Sequence, residues 1–293
     1  MRVIKEKANA KINLYLDVSS VRDDGFHNIK SVMHSVTLCD DISIKYSPSK
    51  KTSIKVFVSG NRFLPTDEKN LAYRAAQIFL DRASLDADIE ISITKRIPVA
   101  AGLAGGSADA AAVFRGMNKL FGRMFSDRAL SDMSAVLGSD IPFCLFGKTA
   151  LCEGRGEIMN RLSVSPSLKL VIAVANEHMS TPLAYKKLDE IYSSFDGSVP
   201  TGGAERFDAL MFELAEGEIK SPLFNVFESA VLPMCKRAAE IKSRLLAEGA
   251  SLALMSGSGP SVFGVFSNTE QAKSVAERLR EEGINAHFAE SVN

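Results

Sequence analysis

"PVAAGLAGGSADAAAVF" (Pro98–Phe114) sets glycines 102, 105 and 106 and Ser107 directly before an alanine-rich run. A helix N-terminus carries unpaired N–H groups and a partial positive charge, so it stabilises an anion by geometry alone. Glycine removes the Cβ that would keep such an anion at a distance and makes positive φ accessible. Ser107 reads as the N-cap, and "ADAAAVFRGMNKLF" follows with strong helix formers. Two readings stand side by side: a phosphate cradle or a plain helix-opening turn. A P-loop is excluded, because no Lys-Ser/Thr pair follows the glycines. A dinucleotide fingerprint is excluded by the glycine spacing.

Around this stretch the chain alternates between strand and helix periods. "KINLYLDV" (Lys11–Val18), "DISIKY" (Asp41–Tyr46) and "SIKVFVSG" (Ser53–Gly60) alternate apolar and polar residues, and Asp24-Gly25 marks a turn between the first two. Residues 67–83 have helical period with Leu71, Ala75, Ile78 and Phe79 on one face, and a strand then runs to Pro98. A helix over 127–137 precedes a turn at "GSDIPF", and strands continue to Glu153. "LKLVIAVAN" (Leu168–Asn176) is apolar enough for a strand buried on both faces. Residues 182–246 are mainly helical, broken by the loop "SFDGSVPTGGAE", and strand, "SGSGPS", strand, helix and strand finish the chain. An α+β fold in two halves, 1–160 and 161–293, is expected.

Bulk properties narrow the function classes. The 293 residues are 46% hydrophobic and 24% charged, as in a globular protein. Lys+Arg and Asp+Glu both count 35, which argues against a nucleic-acid surface. The 4 cysteines show neither CxxC nor ligand spacing with histidine, so buried free thiols are expected. No apolar run approaches bilayer length and the first residues lack a signal-peptide core, so a cytoplasmic protein without a membrane partner is expected.

Two further segments carry information. "ANAKINLYLDV" puts Lys11 and Asn13 on one side of a strand whose other side holds Ile12 and Leu14. "LMSGSGPSVFGVF" (Leu254–Phe266) is a second Ser/Gly loop between apolar strands. Taken singly, these read as a solvated strand face and a tight hairpin. Together with "PVAAGLAGGSADAA", in this order, they resemble the galactokinase, homoserine kinase, mevalonate kinase and phosphomevalonate kinase (GHMP) superfamily. The resemblance spans essentially the whole chain. It is strongest to the branch whose acceptor is a cytidine diphosphate-linked methylerythritol, through "AKINLYLDVSSVRDDGFHNIKSVMHSVTLCDDI" and "GSDIPFCLFGKTALCEGRGE". Ala104, Ala108, Asp109 and Phe26 depart from residues common in that family, which often has Gly, Ser, Asn and Tyr there.

The resemblance implies a two-lobed GHMP-kinase-like fold, with an N-terminal half like domain 2 of ribosomal protein S5 and a ferredoxin-like C-terminal half. It implies an ATP-dependent small-molecule kinase, a monomer or weak homodimer, that uses Mg2+ with no metal ligand assigned. Asp140 is then the base that takes the proton of the acceptor's 2-hydroxyl, with Lys11 beside it stabilising developing charge. Pro98, Val99, Ala100, Ala101, Gly102, Leu103, Ala104, Gly105, Gly106, Ser107 and Ala108 would hold the ATP phosphates. Ser256 and Gly257 would support that pocket and the acceptor's phosphates. Phe26 and Tyr185 would sandwich the cytosine, His27 would bond its edge, and Asn13 and Thr181 would hold the methylerythritol hydroxyls. Core packing remains the alternative for both aromatic rings. A homoserine or mevalonate type of kinase, a catalytically inactive nucleotide-binding regulator and a dinucleotide-dependent oxidoreductase are the rival functions.

Overall fold

The computed structural model describes residues 1–177, 179–194 and 203–292, apart from the side chain of Ser20. It has two compact units, each assembled from separated parts of the chain: 1–10, 39–99 and 104–147 in the first, 11–38, 100–103 and 148–293 in the second. The units group residues by packing, whereas the halves 1–160 and 161–293 are a division of the sequence.

The first unit is built on a sheet edge backed by helices. β1 (Arg2–Val21) and β2 (His27–Pro48) are long strands that contribute their residues 2–10 and 39–48 here. β4 (Ala87–Thr94) pairs antiparallel with β2 and parallel with β3 (Ser53–Ser59). Ile89, Ile91 and Ile93 of β4 and Ile42 and Ile44 of β2 are buried at every second position, the signature of a strand with one face on the core. α1 (Leu71–Ala83) begins at the Asn70 cap, whose side chain accepts from the N–H of Ala72. Its buried face is Ala72, Ala75, Ala76, Phe79 and Leu80, so the expected face of Leu71 and Ile78 is turned partly outward. α2 (Gly105–Leu120) buries small residues from Ala108 to Ala112, which lets α1 pack closely on it. α3 (Asp127–Ala135) and α4 (Ile141–Phe146) complete the unit. The expected turn at "GSDIPF" is thus a helix start, because Pro142 occupies the first turn, where its missing N–H costs nothing.

The second unit holds the remaining parts of β1 and β2. There β1 pairs with the short β8 (Phe224–Asn225), and β2 pairs with β5 (Thr149–Glu153), which pairs with β6 (Ile158–Arg161). A separate antiparallel sheet has the order β11-β7-β10-β9, with β7 Lys169–Val174, β9 Leu252–Met255, β10 Ser261–Phe266 and β11 Asn285–Glu290. β7 is central, and Leu170 to Ala173 are fully buried, as its unbroken apolar run predicts. Helices α5 (Thr181–Ser193), α6 (Ala204–Ala215), α7 (Phe227–Val231), α8 (Lys236–Ala247) and α9 (Thr269–Glu281) carry the helical sequence. Most of the expected Gly/Pro/Ser loop after α5 lies outside the described residues. Cys152 and Cys235 are buried, whereas Cys39 and Cys144 are half-buried, and all are free thiols. Among the described residues no helix is long and apolar enough to cross a membrane.

His34 is a buried structural tie. Its ring nitrogens bond Thr149 Oγ1 and Ser291 Oγ, both at 2.8 Å. Ser291 Oγ donates to Pro166 O at 2.6 Å and accepts from the N–H of Leu168 at 2.8 Å. Burial lowers the His34 pKa to about 4 from its ordinary 6.5. A depressed histidine stabilises the fold fully above 6.5, and that contribution is lost as pH falls toward 4. Urea midpoints at pH 7 and pH 5 should therefore fall more in the wild type than in His34→Gln, which has no proton to gain; equal falls would contradict the buried neutral ring.

Candidate active site

The glycine loop starts its helix earlier than Ser107. α2 begins at Gly105, and Ala104 is the N-cap in left-handed conformation (φ 56°) with no side-chain capping bond. Ser107 lies inside the first turn, so the first N–H groups of α2 receive no side-chain cap. Positive φ falls at Ala100, Gly102 and Ala104 rather than at Gly105 and Gly106. Gly105 is required for space, since a Cβ there would meet Ile97 Cγ2 at 3.0 Å and Lys95 Nζ at 3.4 Å. Gly106 is exposed. Such an uncapped, glycine-lined helix start can accept an anion.

In the second unit, Ala100 to Leu103 meet the second Ser/Gly loop. A Cβ on Gly102 would lie 2.2 Å from Ser256 O, a contact no side chain tolerates. Ser256 is fully buried and donates its hydroxyl to Gly102 O at 3.1 Å, and Ser261 donates to Ala101 O. Leu103 O accepts the N–H of Lys11 at 3.2 Å, which ties the segment to β1. Asn225, which the sequence reading passes over, donates to Met255 O at 2.7 Å and Gly257 O at 2.8 Å and so fixes the turn.

Lys11 and Asn13 share one side of β1, as alternation predicts, but that side is buried rather than solvated. Lys11 is 4% exposed and Asn13 1%. Asn13 Oδ1 accepts from Lys11 Nζ at 2.8 Å and from the N–H of Gly257 at 3.0 Å, and its Nδ2 donates to Ser31 Oγ at 2.8 Å. Three of the four hydrogen bonds an amide can make are therefore made within the unit.

The expected acceptor residues group in part. His27 stacks on Tyr185 at 4.7 Å between centroids, and Tyr185 meets Phe227 edge-on at 4.9 Å. His27 Nε2 donates to Asp189 Oδ1 at 2.7 Å. Asp189 on α5 was not foreseen, because nothing local in the sequence links it to His27. Phe26 is 54% exposed, with the Arg155 guanidinium 4.9 Å over its ring, so the ring that Tyr185 meets is that of His27. Thr181 opens α5 and bonds Ser258 Oγ at 2.8 Å.

Asp140 belongs to the first unit and Lys11 to the second. Asp140 is the half-buried N-cap residue of α4; its carbonyl accepts the N–H of Cys144 at 3.0 Å, and its side chain makes no capping bond. No group of three or more His, Cys, Asp or Glu that could hold a metal is present among the described residues. Mg2+ nevertheless suits this chemistry, because it binds phosphate oxygens, water and an occasional hydroxyl without a protein cage.

The first unit also holds a charge cluster that the sequence reading left out. Lys95 Nζ donates to Asp40 Oδ2 at 2.5 Å and to Asp109 Oδ2 at 2.8 Å, and all three side chains are almost fully buried. Asp40 Oδ1 accepts the N–H groups of Arg96 at 2.5 Å and Ile97 at 2.9 Å. Asp109 Oδ1 is buried without a partner. Burial first, then Asp40, raises the Asp109 pKa to about 7, against the opposing pull of Lys95.

Comparison with known proteins places these features in a family. Family models described as the GHMP kinases N terminal domain and GHMP kinases C terminal match residues 70–148 and 198–285. A 4-diphosphocytidyl-2-C-methyl-D-erythritol kinase of Macrococcus caseolyticus is 39% identical over 280 residues, covering 95% of each chain. One of Caldicellulosiruptor saccharolyticus is 42% identical, covering 94% of this chain and 92% of its own. A crystal structure of 4-(cytidine 5'-diphospho)-2C-methyl-D-erythritol kinase superposes with a TM-score of 0.79 at 30% identity, over 99% of this chain and 100% of that one.

The raised Asp109 pKa has a measurable sign. A carboxyl that holds its proton more tightly when folded stabilises fully below its unfolded pKa, and that stability is lost as pH rises through about 7. Asp109→Asn should be more stable than the wild type at pH 8, with the gap closing at pH 5. Thermal denaturation at both values checks this, and a gap that does not change with pH would contradict it.

Proposed function

The chain belongs to the 4-diphosphocytidyl-2-C-methyl-D-erythritol kinases of the GHMP kinase family, and from that premise we propose how its own residues move the γ-phosphoryl of ATP to the acceptor's 2-hydroxyl. The reaction is the phosphorylation of 4-diphosphocytidyl-2-C-methyl-D-erythritol, a step in the supply of isoprenoid precursors. Near-complete coverage by kinases of this one name, at about 40% identity, is the observation that carries the reading.

An alcohol is a poor nucleophile at neutral pH, and Asp140 is the base that takes its proton. Lys11, held by Asn13, supplies a fixed positive charge where the alkoxide and the transferring phosphoryl group develop negative charge. Ala104 to Ala108 present the uncapped N–H groups of α2 to the ATP phosphates. Ser107 is the loop hydroxyl that would help hold Mg2+, which would supply neutralisation of the phosphate charge. Ser256 and Gly257 hold the acceptor's phosphates. His27, braced by Asp189, bonds the edge of the cytosine. Tyr185 and Phe26 flank the base, and Asn13 and Thr181 receive the methylerythritol hydroxyls. The protein acts as a monomer or weak homodimer in the cytoplasm, and the family's two halves divide near residue 160.

ADP release with the cytidyl acceptor, homoserine and mevalonate is the deciding assay. Turnover with the cytidyl acceptor alone is expected, and turnover with homoserine alone would sink the assignment. Asp140→Asn should bind ATP in calorimetry as the wild type does while kcat drops by roughly 10²–10⁴-fold. Unchanged kcat in that variant would remove Asp140 from the role of base.

A further inference from the structure

Lys95 ends the buried register of β4, two residues after Ile93, where an apolar side chain would be expected. Its ammonium lies beneath the first residue of α2, 3.4 Å from where a Cβ on Gly105 would be. Asp109, in the next turn of the same helix, grips that ammonium from one side, and Asp40 of β2 grips it from the other. Asp40 also takes the N–H groups of Arg96 and Ile97, the residues that lead from β4 into the glycine loop. The backbone of Lys95 is itself pinned, since its N–H donates to Ser59 O at 2.9 Å. No side chain caps the start of α2, so the bond from Lys95 to Asp109 ties this helix's first turns to the sheet.

We propose that Lys95, Asp40 and Asp109 are positioning residues for the nucleotide: the triad locks the first turns of α2 onto the end of β4 and so sets where the N–H groups of Gly105, Gly106 and Ser107 point. The inference rests on the reading of this loop as the phosphate cradle. Buried ion pairs are poor stabilisers compared with apolar packing, but they fix one arrangement, because any other leaves a charge without its partner. Aim matters here, since phosphoryl transfer depends chiefly on positioning and fixed dipoles.

The charge balance adds a second consequence. With both carboxylates ionised the triad is net negative beneath an anion; with Asp109 protonated it is neutral. Lys95 from the end of β4 and Asp40 from β2 are the charged groups that act on Asp109, while further along α2 Arg115 and Lys119 pair with Glu6 of β1 and Arg115 also donates to the carbonyls of Cys144 and Leu145 on α4. Nucleotide phosphates therefore favour the protonated form, and nucleotide binding weakens above neutral pH through Asp109.

The test measures nucleotide KM, acceptor KM and kcat from pH 6 to 8.5 for the wild type, Asp109→Asn, Asp109→Leu and Gly106→Glu. Gly106→Glu tests the cradle itself: its Cβ would make an ordinary 3.5 Å contact with Leu71, and its carboxylate opposes phosphate. A nucleotide KM unchanged in Gly106→Glu overturns the cradle reading whatever the triad does. With Gly106→Glu impaired, Asp109→Leu should raise nucleotide KM roughly tenfold at every pH, with acceptor KM and kcat close to wild type. Asp109→Asn, which keeps the shape and an oxygen for Lys95, should retain a low nucleotide KM and lose the rise that the wild type shows above pH 7. A folded Asp109→Leu within twofold of the wild-type nucleotide KM overturns the positioning role. If Asp109→Leu does not fold, Asp109→Ala decides: a nucleotide KM within twofold of the wild type overturns the positioning role, and the same rise above pH 7 in Asp109→Asn as in the wild type overturns the charge-balance consequence.

Discussion

The approach of two backbones at Gly102 and Ser256 constrains everything around it. A 2.2 Å clearance to a hypothetical Cβ means that these segments meet as bare main chain, with no side chain between them. Main chain brought this close must have its polar groups paired, and each has been given a dedicated partner. The hydroxyls of Ser256 and Ser261 take the carbonyls of Gly102 and Ala101, and the Asn225 amide takes those of Met255 and Gly257. Asn13 then receives the N–H of Gly257 while holding Lys11. An aspartate could accept both bonds but could not donate to Ser31, so the amide suits this position better than the acid. The charge on Lys11 is thus fixed in place by groups whose first task is to let glycine meet glycine.

Much of this was legible in the sequence, and the reasons differ by element. Alternation located the strands because each buries one face, and the unbroken run of β7 announced a strand buried on both. The three separated motifs identified the family because two are glycine loops and the third is a polar pair in an apolar strand, and together in this order they are specific. Boundaries were read less well. Ser107 looks like an N-cap by residue type, yet Ala104 caps α2 from the left-handed region, so the helix gains Gly105 and Gly106 as its first residues. Packing then explains the residue type: Ile97 and Lys95 lie close enough to the helix's first residue that it is glycine. "GSDIPF" reads as a turn by its composition, yet its last residues open α4, because proline is at home in a first helical turn.

The Lys95 cluster shows a signal that was present and not used. Lys95 continues the phase of Ile89, Ile91 and Ile93, and Asp40 falls in the phase of Leu38, Ile42 and Ile44. Opposite charges in the apolar phase of two strands predict a buried pair wherever those strands turn out to be neighbours, as β2 and β4 are. Asp189 and Asn225 offered no such clue. Their partners lie far away along the chain, and only the folded topology brings them together.

His34 and Ser291 are separated by 257 residues, yet they share one buried hydrogen bond. A chain emerging from the ribosome presents the first member of that pair long before the second. Until residues near 291 arrive, His34 lacks one partner, and so do the carbonyl of Pro166 and the N–H of Leu168. The second unit therefore closes late in synthesis, whereas the first is complete once residue 147 has left the exit tunnel. During that interval the second unit waits for Ser291, just beyond β11, to serve as its bolt.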